Sequence, residues 1–274
     1  MIEGAVSMRR NRRSFLSTTF RRRTLLIVAA MLCVVHLHAA HVPSIEETGF
    51  EIQTHGRFFY LAGNLSGMFE YIGRFEGADT SFRYQGITLG GYYRLHRNVK
   101  VGAFYRLQVN ARHDDDWITE GSGWIWEDAS RRFEHLGIVD VTPRFQLGFL
   151  PGENWVASVK ARYDYNFSNA QHTLLLRPGL TYFWVRDRAP LLNISAQYAT
   201  YLSLNFGDRP WYRHGPYVNL LFHLGERVLI DIGVAKQWIY WSESAEFTAD
   251  HPGETYLNNI HSPWSIDVGL ILRL

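Results

Sequence analysis

Cysteine is almost missing. Among 274 residues Cys33 stands alone, which excludes a disulfide within the chain and any cysteine-built metal site. Beyond residue 40 there is no long apolar run, so nothing there supplies the ~20 apolar residues of a membrane-crossing helix. Nor is there an obvious internal repeat, a phosphate-binding loop, a dinucleotide fingerprint or a zinc motif. An excess of positive charge is missing too. Seven of the 28 basic residues precede residue 24, where only Glu3 of the 26 acidic ones lies, which leaves 21 basic against 25 acidic. A mildly acidic body does not suit nucleic acid as a partner, and no cofactor motif is present.

The front of the chain follows a different pattern. Arg9, Arg10, Arg12, Arg13, Arg21, Arg22 and Arg23 precede the apolar run Thr24–Val35, which leads into Leu37-His38-Ala39-Ala40. A basic leader, a short apolar core and a small-residue end form a secretory signal, with Met8 as a second possible start. Leu32 before Cys33 does not suit lipid attachment at that cysteine. The expected division is a signal peptide over 1–40, an N-terminal periplasmic segment over 41–56 and one domain over 57–274.

What fills that domain is alternation. In 192–206, Leu192, Ile194, Ala196, Tyr198, Thr200, Leu202, Leu204 and Phe206 share one face, and Asn193, Ser195, Gln197, Ala199, Tyr201, Ser203 and Asn205 share the other. Successive strand side chains point to opposite faces, so this is a two-faced strand. Similar patterns predict ten strands, over 57–71, 82–95, 98–111, 132–150, 154–168, 172–186, 190–206, 215–224, 227–241 and 263–274. Gly86 is expected to mark a bulge, Lys236 to break an apolar face, and Pro143 to sit where no ladder bond is donated.

Three features point the apolar face outward. The strands run past ten residues, whereas globular strands average about five or six and tilted membrane strands need roughly 9–11. Aromatics such as Phe59, Phe69, Tyr71, Tyr92, Tyr93, Trp155, Trp184, Trp238 and Trp264 gather near strand ends, as at the two membrane interfaces. Glycines alternate with charges on the polar face. Connections at 96–98, 151–153, 186–189 and 225–226 are tight, and those at 72–81, 112–131, 207–214 and 242–262 are long, with 168–171 a short exception. Ten strands place both barrel ends on the short-turn side. The fold class is therefore an all-β antiparallel transmembrane up-and-down barrel of about ten strands, with eight as the alternative, because a sheet in hydrocarbon can leave no edge unpaired.

The leader, the alternating strands and a final strand reaching Leu274 resemble small bacterial outer-membrane barrels of the OmpX and OmpW kind, although those usually end in Phe or Trp. The resemblance implies a monomer in the outer membrane, surrounded by its lipid and inserted by the barrel-assembly machinery. The polar face places Glu70, Arg94, Lys100, Arg106, Asp140, Arg144, Lys160, Arg162, Asp164, Arg177, His223, Asp231, Asp267 and Arg273 in the lumen. The functional expectation is a narrow pore for small polar or amphiphilic solutes rather than an enzyme. Its alternative is a non-conducting structural or surface-interaction barrel, with an extracellular ligand held at loops 112–131 and 242–262. A remote alternative rests on His113-Asp114-Asp115-Asp116 with Asp208, His214, Asp250 and His251, which resemble the Asp/His surface site of the omptin proteases; an acidic pair with a histidine can polarise a water.

Overall fold

A computed structural model describes residues 46–47, 49–76, 83–109, 117–120, 123–126, 133–150, 154–206, 211–240 and 260–274. Every regular element among them is a strand. Eleven strands close one barrel: β1 (Phe50–Ala62), β2 (Leu65–Glu76), β3 (Arg83–His96), β4 (Val99–Val109), β5 (Phe133–Gln146), β6 (Trp155–Asn166), β7 (Gln171–Arg186), β8 (Ala189–Ser203), β9 (Trp211–His223), β10 (Val228–Lys236) and β11 (Trp264–Arg273). Each pairs antiparallel with the next. β11 then pairs in parallel with β1, from Trp264↔Phe50 to Arg273↔Phe59. In a closed up-and-down sheet an odd strand count makes the first and last strands run the same way, so a parallel seam is a topological necessity. Past Gln237, Trp238–Tyr240 extends the sheet, pairing with β9 and with Ile260–His261, which pairs in parallel with Glu46–Glu47.

The eleventh strand comes from the front. Residues 57–71, expected as one strand, are a hairpin that reverses at Gly63-Asn64, where Gly63 has φ +60°. Glycine adopts that left-handed conformation at little cost. The barrel begins at Phe50, inside the stretch assigned to a periplasmic segment. Strand parity changes accordingly. The chain enters the barrel at the rim that carries the connections 77–82, 110–132, 167–170, 204–210 and 241–263, and leaves it at the rim of tight turns. The two barrel ends do not share a side.

Other details are also local. Gly86 stays in regular register with Ile72 and Gln108, and the irregularity falls instead between Arg94 and His96. Pro143 pairs with Val99 on the outer face. Lys236, at the end of β10, donates to the carbonyl and, at 3.1 Å, to the hydroxyl of Ser262, so the charge that interrupts the apolar face is bound. The turn at 187–188 has both central residues left-handed, Asp187 at φ 51° and Arg188 at 66°, the twist that two-residue hairpins require. The expected turn at 151–153 lies outside the described residues.

Polarity is inverted relative to a water-soluble barrel. Glu51, Glu70 and Asp140 point inward and are 1–4% exposed, while Val139, Leu89 and Val268 point outward and are 44–57% exposed. Glycines on the inner face make room for large neighbours on the same and adjacent strands. A Cβ on Gly269 would overlap the His55 ring, one on Gly233 the Tyr217 ring, and one on Gly102 the rings of Tyr92 and Phe104. Tyr92 therefore lies inside, 4.8 Å from Phe104, and is not one of the outer aromatics. Overpacking costs about 1–3 kcal/mol. Gly269→Val is expected to lower stability by about 2 kcal/mol in denaturant unfolding followed by circular dichroism, whereas Gly67→Val, whose Cβ meets nothing within 4 Å, leaves the midpoint unchanged.

Candidate functional site

Inward-pointing side chains divide the lumen into two halves. Toward the loop rim lies a cavity of about 470 Å³. Toward the turn rim the inner wall is formed by Leu229, Asp231, Thr142, Ser195 and Ile271, all less than 9% exposed. A barrel of ~8 strands is filled by its side chains and one of 16–18 leaves a channel, so an eleven-stranded lumen lined by arginine and tyrosine is narrow.

Ion pairs cross the floor of the cavity. Glu70 on β2 accepts from Arg57 on β1, and Arg106 on β4 lies 3.4 Å away. Arg57 also reaches Asp231 on β10 at 3.4 Å. Asp231 in turn lies 3.2 Å from His55 and accepts from the Asn219 amide. Arg106 Nε donates to Thr88 Oγ1 at 2.8 Å. Along the wall, Lys160 pairs with Asp140 at 2.9 Å. Arg162 grips both oxygens of Asp164 at 2.6 Å, the fork-to-fork geometry that makes arginine–carboxylate pairs strong. Near the loop rim Arg74 lies 3.7 Å from Glu51 and donates to Gln53 at 3.2 Å, while Glu134 accepts from Gln108 at 2.5 Å and from Asn166 at 2.9 Å. Buried charge is costly unless paired and hydrogen-bonded, and this pairing is what lets a narrow lumen hold so much of it.

Eight of the fourteen expected lumen residues line the cavity: Glu70, Arg106, Asp140, Lys160, Arg162, Asp164, Arg177 and Asp267. Asp231 lies beneath its floor, and Lys100 lies over the Tyr92 ring at 3.5 Å. Arg94, Arg144, His223 and Arg273 sit close to the turn rim, away from the cavity. The sequence pattern missed Glu51, Gln53, His55 and Arg57 because β1 was displaced, Arg74 because β2 runs further than expected, and Arg213 because β9 begins at Trp211 rather than 215. Alternation from Phe50 through Phe58, once broken at Gly63-Asn64, would have found the first four.

The acidic residues behind the protease alternative, Asp114 to Asp116, Asp208 and Asp250, lie outside the described residues, as do His113 and His251. His214 stacks among Tyr198, Trp238 and Tyr240, with Nδ1 at 2.7 Å from the Tyr198 hydroxyl and Nε2 at 3.2 Å from that of Tyr240. Two more such pairs, Tyr105–His135 and Tyr163–His172, lie near the same rim on exposed faces.

The chain matches no protein-family model, no curated protein and no solved structure. The geometry therefore stands alone: a polar pocket, lined largely by paired charges, in the loop-rim half of the barrel. Glu70→Gln leaves Arg57 and Arg106 facing each other across a buried site. It is expected to cost about 2 kcal/mol in denaturant unfolding, less than for a fully buried pair because the Arg57 side chain is 31% exposed. Asp187→Asn, in an ion pair on the surface, leaves the midpoint unchanged.

Proposed function

We propose that this chain is exported through its N-terminal leader and spans the bacterial outer membrane as a non-conducting barrel that presents a blind, charged cavity at its loop rim. The observation that carries the membrane reading is the inversion of polarity: carboxylates and guanidinium groups are buried inside while Phe, Leu, Val and Ile cover the outside. In water that outer surface is a contiguous apolar liability; in hydrocarbon it is what a spanning barrel needs. The outer Tyr–His pairs near the loop rim supply polar tips on aromatic bodies, the chemistry favoured at a membrane–water interface. Eleven strands depart from the even counts of bacterial single-chain barrels, but odd-numbered membrane barrels exist. The outer-membrane lipid and the assembly machinery are the partners this reading implies.

The narrow-pore alternative needs a continuous aqueous path. What weighs against it is the floor of the cavity, where the rings of Tyr92, Phe104, Tyr217 and His55 lie against glycines, and the wall toward the turn rim, where Leu229 is fully buried. In planar bilayers the purified, heat-shifting protein is expected to give no steady current, while the triple variant Arg57→Ala, Tyr92→Ala, Phe104→Ala conducts. Steady current from the unaltered protein would restore the pore. For orientation, Ser168→Cys at the loop rim should react with a membrane-impermeant maleimide on intact cells and Asp187→Cys at the turn rim should not. Recovery of the protein from a soluble fraction, with the leader uncleaved by mass spectrometry, removes the membrane reading altogether.

A further inference from the structure

Most basic side chains of the cavity have a carboxylate. Arg57, Arg74, Arg106, Lys160 and Arg162 each face one. Arg177 and Arg213 do not, among the described residues. Asp164 and Asp140, the nearest acids along β6 and β5, are held by Arg162 and Lys160. Both arginines line the cavity, and the Nε of each is buried without a hydrogen-bond partner. A buried donor left unmade costs free energy that a suitable acceptor would recover.

Their placement is ordered by Tyr201, which lies between them on β8. Arg177 donates to its hydroxyl at 3.4 Å, and the Arg213 guanidinium stacks over its ring at 4.7 Å. Stacking uses the face of a guanidinium and leaves its N–H edge free for a planar oxyanion. The cross-strand pair Ala199↔Gly215, both in the cavity wall, sets small residues beside these long ones. Next to it Tyr212 lies 6.2 Å from Tyr201 and 5.3 Å from Phe206, an aromatic wall.

We propose that Arg177 and Arg213 form an oxyanion subsite in the cavity wall, for a small organic carboxylate or phosphomonoester whose ring rests on Tyr201, Tyr212 and Phe206. The subsite rests on the cavity being reached from the loop rim, and it does not depend on whether the lumen conducts.

The test uses the full chain in detergent, its fold checked by heat shift on gels. Phenyl phosphate, benzoate, inorganic phosphate and the neutral ring compound phenol are titrated by calorimetry. Phenyl phosphate or benzoate is expected to bind saturably and phenol not to. Arg177→Gln and Arg213→Gln should each weaken binding at least about tenfold, and Arg94→Gln, at the turn rim, should not change it. Phenyl phosphate binding distinguishes a phosphate ligand from a carboxylate one when benzoate is silent, and the reverse result assigns the carboxylate. Inorganic phosphate binding as well as phenyl phosphate overturns the organic-anion assignment. The subsite itself is overturned if neither organic anion binds the folded protein, or if the two glutamine variants bind as the unaltered chain does. Current through the unaltered protein with binding intact removes the closed-lumen reading and keeps the subsite; silence with no binding does the opposite.

Discussion

A sheet of eleven strands has two edges unless its ends meet, and here they meet along the parallel seam of β11 on β1. Ten residue pairs, Trp264↔Phe50 through Arg273↔Phe59, satisfy backbone groups that would otherwise face their surroundings bare. In hydrocarbon each such group costs several kcal/mol when unpaired, so closure precedes every other feature. The seam also fixes what lies inside. It brings Asp267 and Gly269 of β11 beside Gln53 and His55 of β1, and the absence of a side chain at Gly269 is what lets His55 lie against the wall and reach Asp231.

Closure then dictates the charge arrangement. With the apolar face outward, every polar side chain of the alternate face enters a space too narrow to hydrate it fully. The chain meets this with pairs between different strands: Arg57 with Asp231, Arg106 with Glu70, Asn166 with Glu134. These bonds tie β1 to β10, β2 to β4 and β5 to β6. They act as cross-braces as well as neutralising charge. Such pairs are weak evidence for stability taken singly, since a well-packed apolar substitute often does as well. In a barrel whose outer face already requires apolar residues, the alternation that makes strands two-faced leaves polar groups as the natural filling.

Much of this was legible in the sequence, because a period of two survives whatever surrounds a strand. Residues 99–109, 155–166 and 264–273 form strands close to where their alternation places them, with Arg106, Lys160, Arg162 and Asp164 pointing inward as the pattern requires. The missing strand was hidden by its own turn. Gly63-Asn64 is two residues long and lies between Leu61-Ala62 and Leu65, so a run of mixed aromatics and aliphatics reads as one long strand. Shifting a strand by one residue exchanges its faces. Arg57 stands at the first position of the expected strand 57–71 and so escapes the lumen set, whereas Tyr92 and Tyr93 are adjacent on one strand and alternation sends them to opposite faces. Which charges meet was not legible at all. Arg162 bonds Asp164 two residues along the same strand, whereas Arg57 bonds Asp231 across 174 positions, and only the closed register brings the second pair together.

The lumen is asymmetric for a reason that the same alternation supplies. At the floor of the cavity, glycines on β4, β10 and β11 face rings and an imidazole, so large groups pack closely there. Toward the loop rim the inner face changes to arginine, glutamate, glutamine and tyrosine, whose polar ends satisfy one another at the wall and leave the middle empty. A cavity formed in this way takes its character from whichever charges are left over. Among the side chains that line it, five carboxylates stand with five cations on β1, β2, β4, β5 and β6, Asp267 on β11 is a sixth carboxylate, and β7 and β9 carry Arg177 and Arg213, which share Tyr201 rather than an acid. The local excess of positive charge is thus confined to one wall of the pocket, and an anion entering from the loop rim meets it without first having to break an ion pair.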